Sequence, residues 1–184
     1  MKQQSFMTRY IPSLVQLCAV LFAVVLPIIF ATPVSAGQSS VPETVTLKQQ
    51  ENNRDIVRRA FDAWVAGESV FGQILAEDVV WTIHGSDPVA GTYTNRQVFV
   101  EQAATPLLSR LVTPVKPVVH AIWADNDVVI IRFDGSATTT GGTLYENQFV
   151  WIFQMQDGLV VEAEAFLDLA AYREVVENNP VKTE

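Results

Sequence analysis

Between Arg54 and Val65 the apolar positions Ile56, Ala60 and Trp64 recur every fourth residue, with Val57, Phe61 and Val65 beside them. Arg54, Asp55, Arg58, Arg59 and Asp62 lie largely outside that stripe, so the pattern predicts an amphipathic helix. Gly67 is a natural stop for it, and Ser69 is placed to cap a second short helix running through Leu75. From Asp78 to His84 the period changes to two. Val79, Trp81 and Ile83 share one face of a strand, and Val80, Thr82 and His84 share the other. Gly85 to Gly91, with Pro88, reads as a loop. Thr94 and Gln97 have capping-box spacing and open a third helix carrying Phe99, Ala103, Leu107 and Leu111. Pro106 has no N–H to donate, which predicts a kink or a restart near Thr105.

The rest of the chain reads as sheet. Strands are predicted over Val115–Trp123, Val128–Thr138, Leu144–Gln156 and Leu159–Phe166. They are separated by the turn chemistry of Asp125-Asn126-Asp127, Gly141-Gly142 and the hairpin pair Asp157-Gly158. A closing turn or short helix runs from Asp168 to Val176. Three helices laid against one strongly curved antiparallel sheet bury a common face only if the sheet curls around them. The predicted fold class is therefore α+β, a cone whose open end leads to a pocket.

The first residues change the picture. Lys2 and Arg9 precede an apolar run from Leu17 to Ala31, which leads to Val34-Ser35-Ala36. A short basic segment, an apolar stretch of about 15 residues and a small-residue site describe a signal peptide over 1–36, cleaved after Ala36. Such a protein is periplasmic or secreted, with no stable membrane insertion once cleaved. The alternative is an uncleaved N-terminal anchor, for which the run is short. A flexible leader over 37–45, a domain over 46–177 and a tail over 178–184 follow. Losing the two cations Lys2 and Arg9 takes the net charge from −8 to −10. An acidic chain without a basic block excludes nucleic acid as a natural partner. The lone Cys18 falls inside the apolar run, so the remaining 148 residues hold neither disulfide nor thiolate metal site.

Several stretches carry a resemblance. Ile56-Val57-Arg58-Arg59-Ala60-Phe61-Asp62-Ala63-Trp64 with Gly67, then Leu75-Ala76-Glu77-Asp78-Val79-Val80-Trp81, begin it. Gly85 and Gly91 around a loop, Asn147 to Phe153, and Glu164-Ala165-Phe166-Leu167-Asp168 complete it. In order and spacing they resemble the SnoaL-like branch of the nuclear-transport-factor-2-like (NTF2-like) superfamily, which includes polyketide cyclases and ketosteroid-isomerase relatives. The resemblance covers roughly Glu51 to Tyr172. It implies an apolar cavity with one or two inward carboxylates or a histidine, usually without metal or cofactor, and a homodimer packed through the convex sheet face. It leaves open isomerase, cyclase or hydrolase chemistry, a non-catalytic binder of a small apolar or oxygenated organic ligand, and a scaffold.

Asp168 is the first candidate, a general base where the resemblance places an aspartate at the cavity, or else the N-cap of the closing helix. His84 is a candidate proton donor, or else a turn-bonding residue beside Gly85. Arg132 interrupts an apolar strand. Facing inward it would pair with Asp168, Glu162 or Glu164, and facing outward it would decorate the convex face. Trp81, Tyr145 and Trp151 belong to apolar strand faces, which are either plain core or the wall of a pocket where Tyr145 could donate to a carbonyl. Asn147 stands among aromatics and needs a partner, either a neighbour or a ligand oxygen. Glu164 shares its parity with Glu162, Phe166 and Asp168, either as a pocket wall or as a solvated edge.

Overall fold

The computed structural model describes residues 43–183. The expected signal peptide and the leader up to residue 42 lie outside them. Helix α1 (Glu43–Val65) begins inside the segment expected as leader. Its predicted stripe is buried at Val57, Ala60 and Phe61, but the last member, Val65, is exposed at the helix end. Asn53 is buried with it and donates to the backbone oxygen of Asn126, tying the helix to a strand turn. Helix α2 (Val70–Ile74) is capped by Ser69, whose hydroxyl accepts from the Gly72 N–H. It stops one residue short of expectation, because Leu75 already belongs to strand β1 (Leu75–Ile83).

Gly91, read above as the end of a loop, begins with Thr92 and Tyr93 a short strand β2 (Gly91–Tyr93) paired antiparallel to β1. Helix α3 (Arg96–Phe99) is capped by Asn95, not by Thr94; the Asn95 side chain accepts from the Val98 N–H. The restart predicted at Pro106 is present. After α3 the helix widens into a π segment (Val100–Ala104), in which the Thr105 N–H reaches back to the Val100 carbonyl. Helix α4 (Thr105–Leu108) then begins with Pro106 in its first turn, where a missing N–H costs nothing.

Four long strands follow, β3 (Lys116–Asp125), β4 (Val128–Thr138), β5 (Leu144–Gln156) and β6 (Leu159–Leu167), then helix α5 (Leu169–Asn178). The sheet order is β2-β1-β6-β5-β4-β3. All pairs are antiparallel except β1 with β6, which run parallel, so the sheet is mixed where an antiparallel one was expected. The second neighbour of β1 is the last of four hairpin-linked strands, a relation that no local pattern encodes. One face carries Val79, Trp81, Ile131, Phe133, Phe153 and Ala163, and packs under the helices. Phe61 and Trp64 of α1 meet Phe133 and Trp151 there at ring separations of 5.0 to 6.1 Å. Burying each such ring stabilises the fold by roughly 1.5–3 kcal/mol. Among the described residues no helix covers the other face. Among the described residues no helix is long and apolar enough to cross a membrane.

Candidate functional site

Between the helices and the inner sheet face lies a cavity of about 90 Å3. Trp81 of β1 and Trp151 of β5 wall it from the sheet. Phe71, Phe99, Leu107 and Tyr172 close it from α2, α3, α4 and α5. Trp81 stacks on Phe99 with ring centroids 4.2 Å apart and meets Trp151 edge-on at 5.1 Å, which holds the wall stiff. Leu108 lines the cavity and is 40% exposed, so it marks the thinnest part of the wall.

Among the described residues the lining contains no carboxylate, imidazole or guanidinium. Its hydroxyls are phenolic. Tyr172 donates to the Ala103 carbonyl at 2.8 Å, and burial pushes its pKa up to about 12. Burial likewise holds the Tyr145 phenol neutral, far above the ordinary range. Tyr145 Oη accepts from Asn147 Nδ2 at 3.0 Å, and no acceptor for its own hydrogen stands in reach among the described residues. The Trp81 indole N–H is buried without an oxygen or nitrogen partner.

Asn147, inward and 4% exposed, finds neighbours rather than a ligand. Its Nδ2 donates to Tyr145 Oη and the Asp168 carbonyl, and its Oδ1 accepts the N–H groups of Gln148 and Asp168. All four of its hydrogen-bonding positions are filled, so it brackets β5 to the start of α5.

The acid–base candidates lie elsewhere. The Asp168 carboxylate caps α5, accepting from the Ala170 and Ala171 N–H groups, and the residue is exposed. The general-base role in the cavity therefore has no geometry here. His84 sits on the outer sheet face, as its alternation with Trp81 requires. Its Nε2 is 2.8 Å from Glu164 Oε2, and its ring stacks on Phe166 at 4.6 Å. Arg132 also faces outward and pairs with Asp134, not with Asp168, Glu162 or Glu164. Asp134 takes a second bond from His120 at 2.7 Å. His120, the stronger influence, and Arg132 hold that carboxyl below its ordinary pKa.

Trp81, Tyr145 and Trp151 are thus brought together. Asn147 stands behind them, and Asp168, His84, Glu164 and Arg132 lie on the opposite face. Sequence reasoning missed Tyr172, whose signal was its place among Ala171, Val175 and Val176 on an amphipathic closing helix. It also read Phe99, Ala103 and Leu107 as plain core. Among the described residues no three His, Cys, Asp or Glu side chains gather as metal ligands.

Solved structures share this architecture. Bal32a, from a soil-derived mobile gene cassette, superposes with a TM-score of 0.57 at 22% identity, over 69% of this chain and 98% of its own. An NTF2-like protein from Burkholderia thailandensis E264 matches with a TM-score of 0.56 at 21% identity, over 67% and 95% of the two chains. TerC, co-crystallised with polyporic acid, matches with a TM-score of 0.56 at 19% identity, over 69% and 99%. At such identities the likeness is one of fold. No curated protein matches the chain by sequence. The SnoaL-like domain family matches residues 57–163, more than half of the chain, and the protein belongs to that family.

Proposed function

We infer that this SnoaL-like domain binds a small apolar organic molecule bearing one acceptor oxygen, and does so without acid–base turnover. The observation that carries the reading is the make-up of the cavity wall: aromatic and aliphatic throughout, with the free hydrogen of Tyr145 Oη as a donor and no residue able to move a proton near neutral pH. A proton-transferring base must stand within hydrogen-bond reach of the substrate. Asp168, His84 and Glu164 do not line this cavity. Its size limits the ligand. A cavity near 150 Å3 admits benzene, so about 90 Å3 takes a short-chain ketone, which is of similar bulk, only as the Leu108 side of the wall gives way. Export is part of the same reading, and its support is the sequence alone: the apolar run ending at Val34-Ser35-Ala36.

The test is an NMR titration with 2-butanone in deuterated buffer, following the ring C–H signals of Trp81 and Trp151. Binding gives saturable shifts on the order of millimolar affinity, the range open to so few heavy atoms. Tyr145→Phe weakens them several-fold, and the anion butyrate produces none. Absence of saturable shifts would overturn the binding reading. Protein-dependent deuterium exchange at the carbons flanking the carbonyl would overturn the non-catalytic part and restore an acid–base enzyme.

A further inference from the structure

Residues 179–182 belong to neither helix nor strand, yet they are fastened to two separate parts of the fold. On one side they hold the end of α4. The Lys182 N–H donates to the Ser109 carbonyl at 2.7 Å, and Arg110 Nε donates to the Asn179 carbonyl at 3.0 Å. Another nitrogen of the same guanidinium, Nη1, donates to the Pro106 carbonyl at 2.7 Å, so Arg110 ties the first turn of α4 to this segment. On the other side lies the turn between β4 and β5. The Thr140 hydroxyl donates to the Pro180 carbonyl at 2.7 Å, and the Gly141 N–H donates to Asn179 Oδ1 at 3.0 Å. The fit at Gly141 is close, since a methyl group there would stand 2.6 Å from Asn179 Oδ1.

What this segment holds in place is a wall of the inner cavity. Leu107 and Leu108 of α4 line that cavity, and Leu108 is 40% exposed. A helix of four residues that follows a π segment has too short a ladder of its own to keep it in position. Its two ends are fastened unequally. Ahead of α4 the Tyr172 hydroxyl holds the Ala103 carbonyl through a buried bond. Behind it the bonds from Thr140 and Gly141 to residues 179–182 are exposed, and Val181, itself 53% exposed, adds little apolar burial. Surface hydrogen bonds over little buried apolar area open at the least cost. Beyond Ser109 the backbone stays bonded to the end of β4, through the Thr140 N–H to the Arg110 carbonyl and the Val112 N–H to the Thr138 carbonyl. Movement is thereby confined to residues 105–109, the stretch that carries Leu107 and Leu108.

We propose that residues 179–182 are a strap that gates the inner cavity. Fastened, it keeps Leu108 closed over the cavity; released, it lets the end of α4 move outward. The purpose of such a gate, admitting a molecule that the closed volume of about 90 Å3 does not pass, rests on the reading of the cavity as a ligand site. The opening itself does not.

The Trp81 indole N–H reports the opening without any ligand. Its ring lines the cavity, and the N–H is buried without a partner, so it exchanges with deuterated buffer only when the wall lifts. Thr140→Val removes one strap bond. Gly141→Ala pushes Asn179 off another, at a position whose backbone accepts alanine because its φ is not positive. Neither residue lines the cavity or belongs to α4. Each variant is expected to speed Trp81 indole exchange by about fivefold, the effect of one lost hydrogen bond. The backbone amides of Phe133 and Phe153, deep in the core, keep the parent's rates within about twofold. Because the two variants act by different means, either one alone carries the test if the other fails to fold. Unchanged Trp81 exchange overturns the proposal. So does an acceleration shared by Phe133 and Phe153, since the whole core is then loosened. Faster Trp81 exchange in a protein that binds no 2-butanone upholds the gate and removes the ligand reading alone.

Discussion

Asp168 and Asn147 look alike in a sequence as polar residues near the end of a sheet, but their positions give them different work. Asp168 holds two N–H groups at the first turn of α5 and stays in contact with water. Asn147 is closed off from solvent and has all four of its hydrogen-bonding positions filled. Asparagine and aspartate are nearly equivalent caps, so Asp168→Asn leaves stability within a few tenths of a kcal/mol, while Asp168→Ala costs about 1 kcal/mol. Asn147→Leu costs more, about 3 kcal/mol. It strands the Gln148 and Asp168 backbone groups in a buried place and removes the donor to Tyr145. Urea denaturation of the three variants checks the order. A loss at Asp168→Asn comparable to that at Asn147→Leu would mean that the carboxylate charge, rather than the cap, is what the fold uses.

At the scale of elements the helical run from Arg96 to Leu108 is the least regular part of the fold and the most tightly fastened. Pro106 breaks the ladder, the π segment absorbs the break, and the Tyr172 hydroxyl of α5 donates to the Ala103 carbonyl inside that segment. The bond needs the neutral phenol, and burial raises the Tyr172 pKa to about 12. A group whose folded pKa lies above its unfolded value adds stability that is complete below about pH 10. That stability is lost as pH rises through the folded value. Tyr172→Phe therefore lowers stability at neutral pH by about 1 kcal/mol, yet its decline between about pH 10 and 12 is shallower than that of the parent. Melting curves across that range measure both effects, and an unchanged alkaline slope would remove Tyr172 from the account. This break was legible in the sequence, because a proline lacks its donor wherever it stands. So were β4 and β5, whose alternation spans eleven and thirteen residues. β2 was not, since three residues beginning at Gly91 offer no period to read. The parallel pairing of β1 with β6 was not legible either, because it joins segments about eighty residues apart.

At the largest scale the described residues form one sheet, with a face that helices cover and a face that none of these helices covers, and this division explains which part of the site could be read in advance. Alternation shows which residues share a side: Trp81 opposite His84, Glu164 together with Phe166, Arg132 together with Asp134. It does not show which side the helices cover, so Arg132 and Glu164 stayed open until the sheet was folded. Trp81, Tyr145 and Trp151 were readable because their strand neighbours are also apolar, and apolar faces are the ones that get covered. The same division confines the proposed ligand site to the covered face. Ala104 and Leu108 line the inner cavity on its more exposed side. Ala104 is only half-buried, so Ala104→Leu places new carbons in the cavity at little cost to the packing of α4. That variant is expected to lose 2-butanone binding by about tenfold while its urea midpoint stays close to that of the parent. Titrating 2-butanone against both proteins, with a denaturation curve for each, reads this directly. Unchanged 2-butanone binding in Ala104→Leu would mean that the ligand does not enter this cavity, and equal losses of binding and stability would mean that the added carbons disturb the fold rather than fill the site.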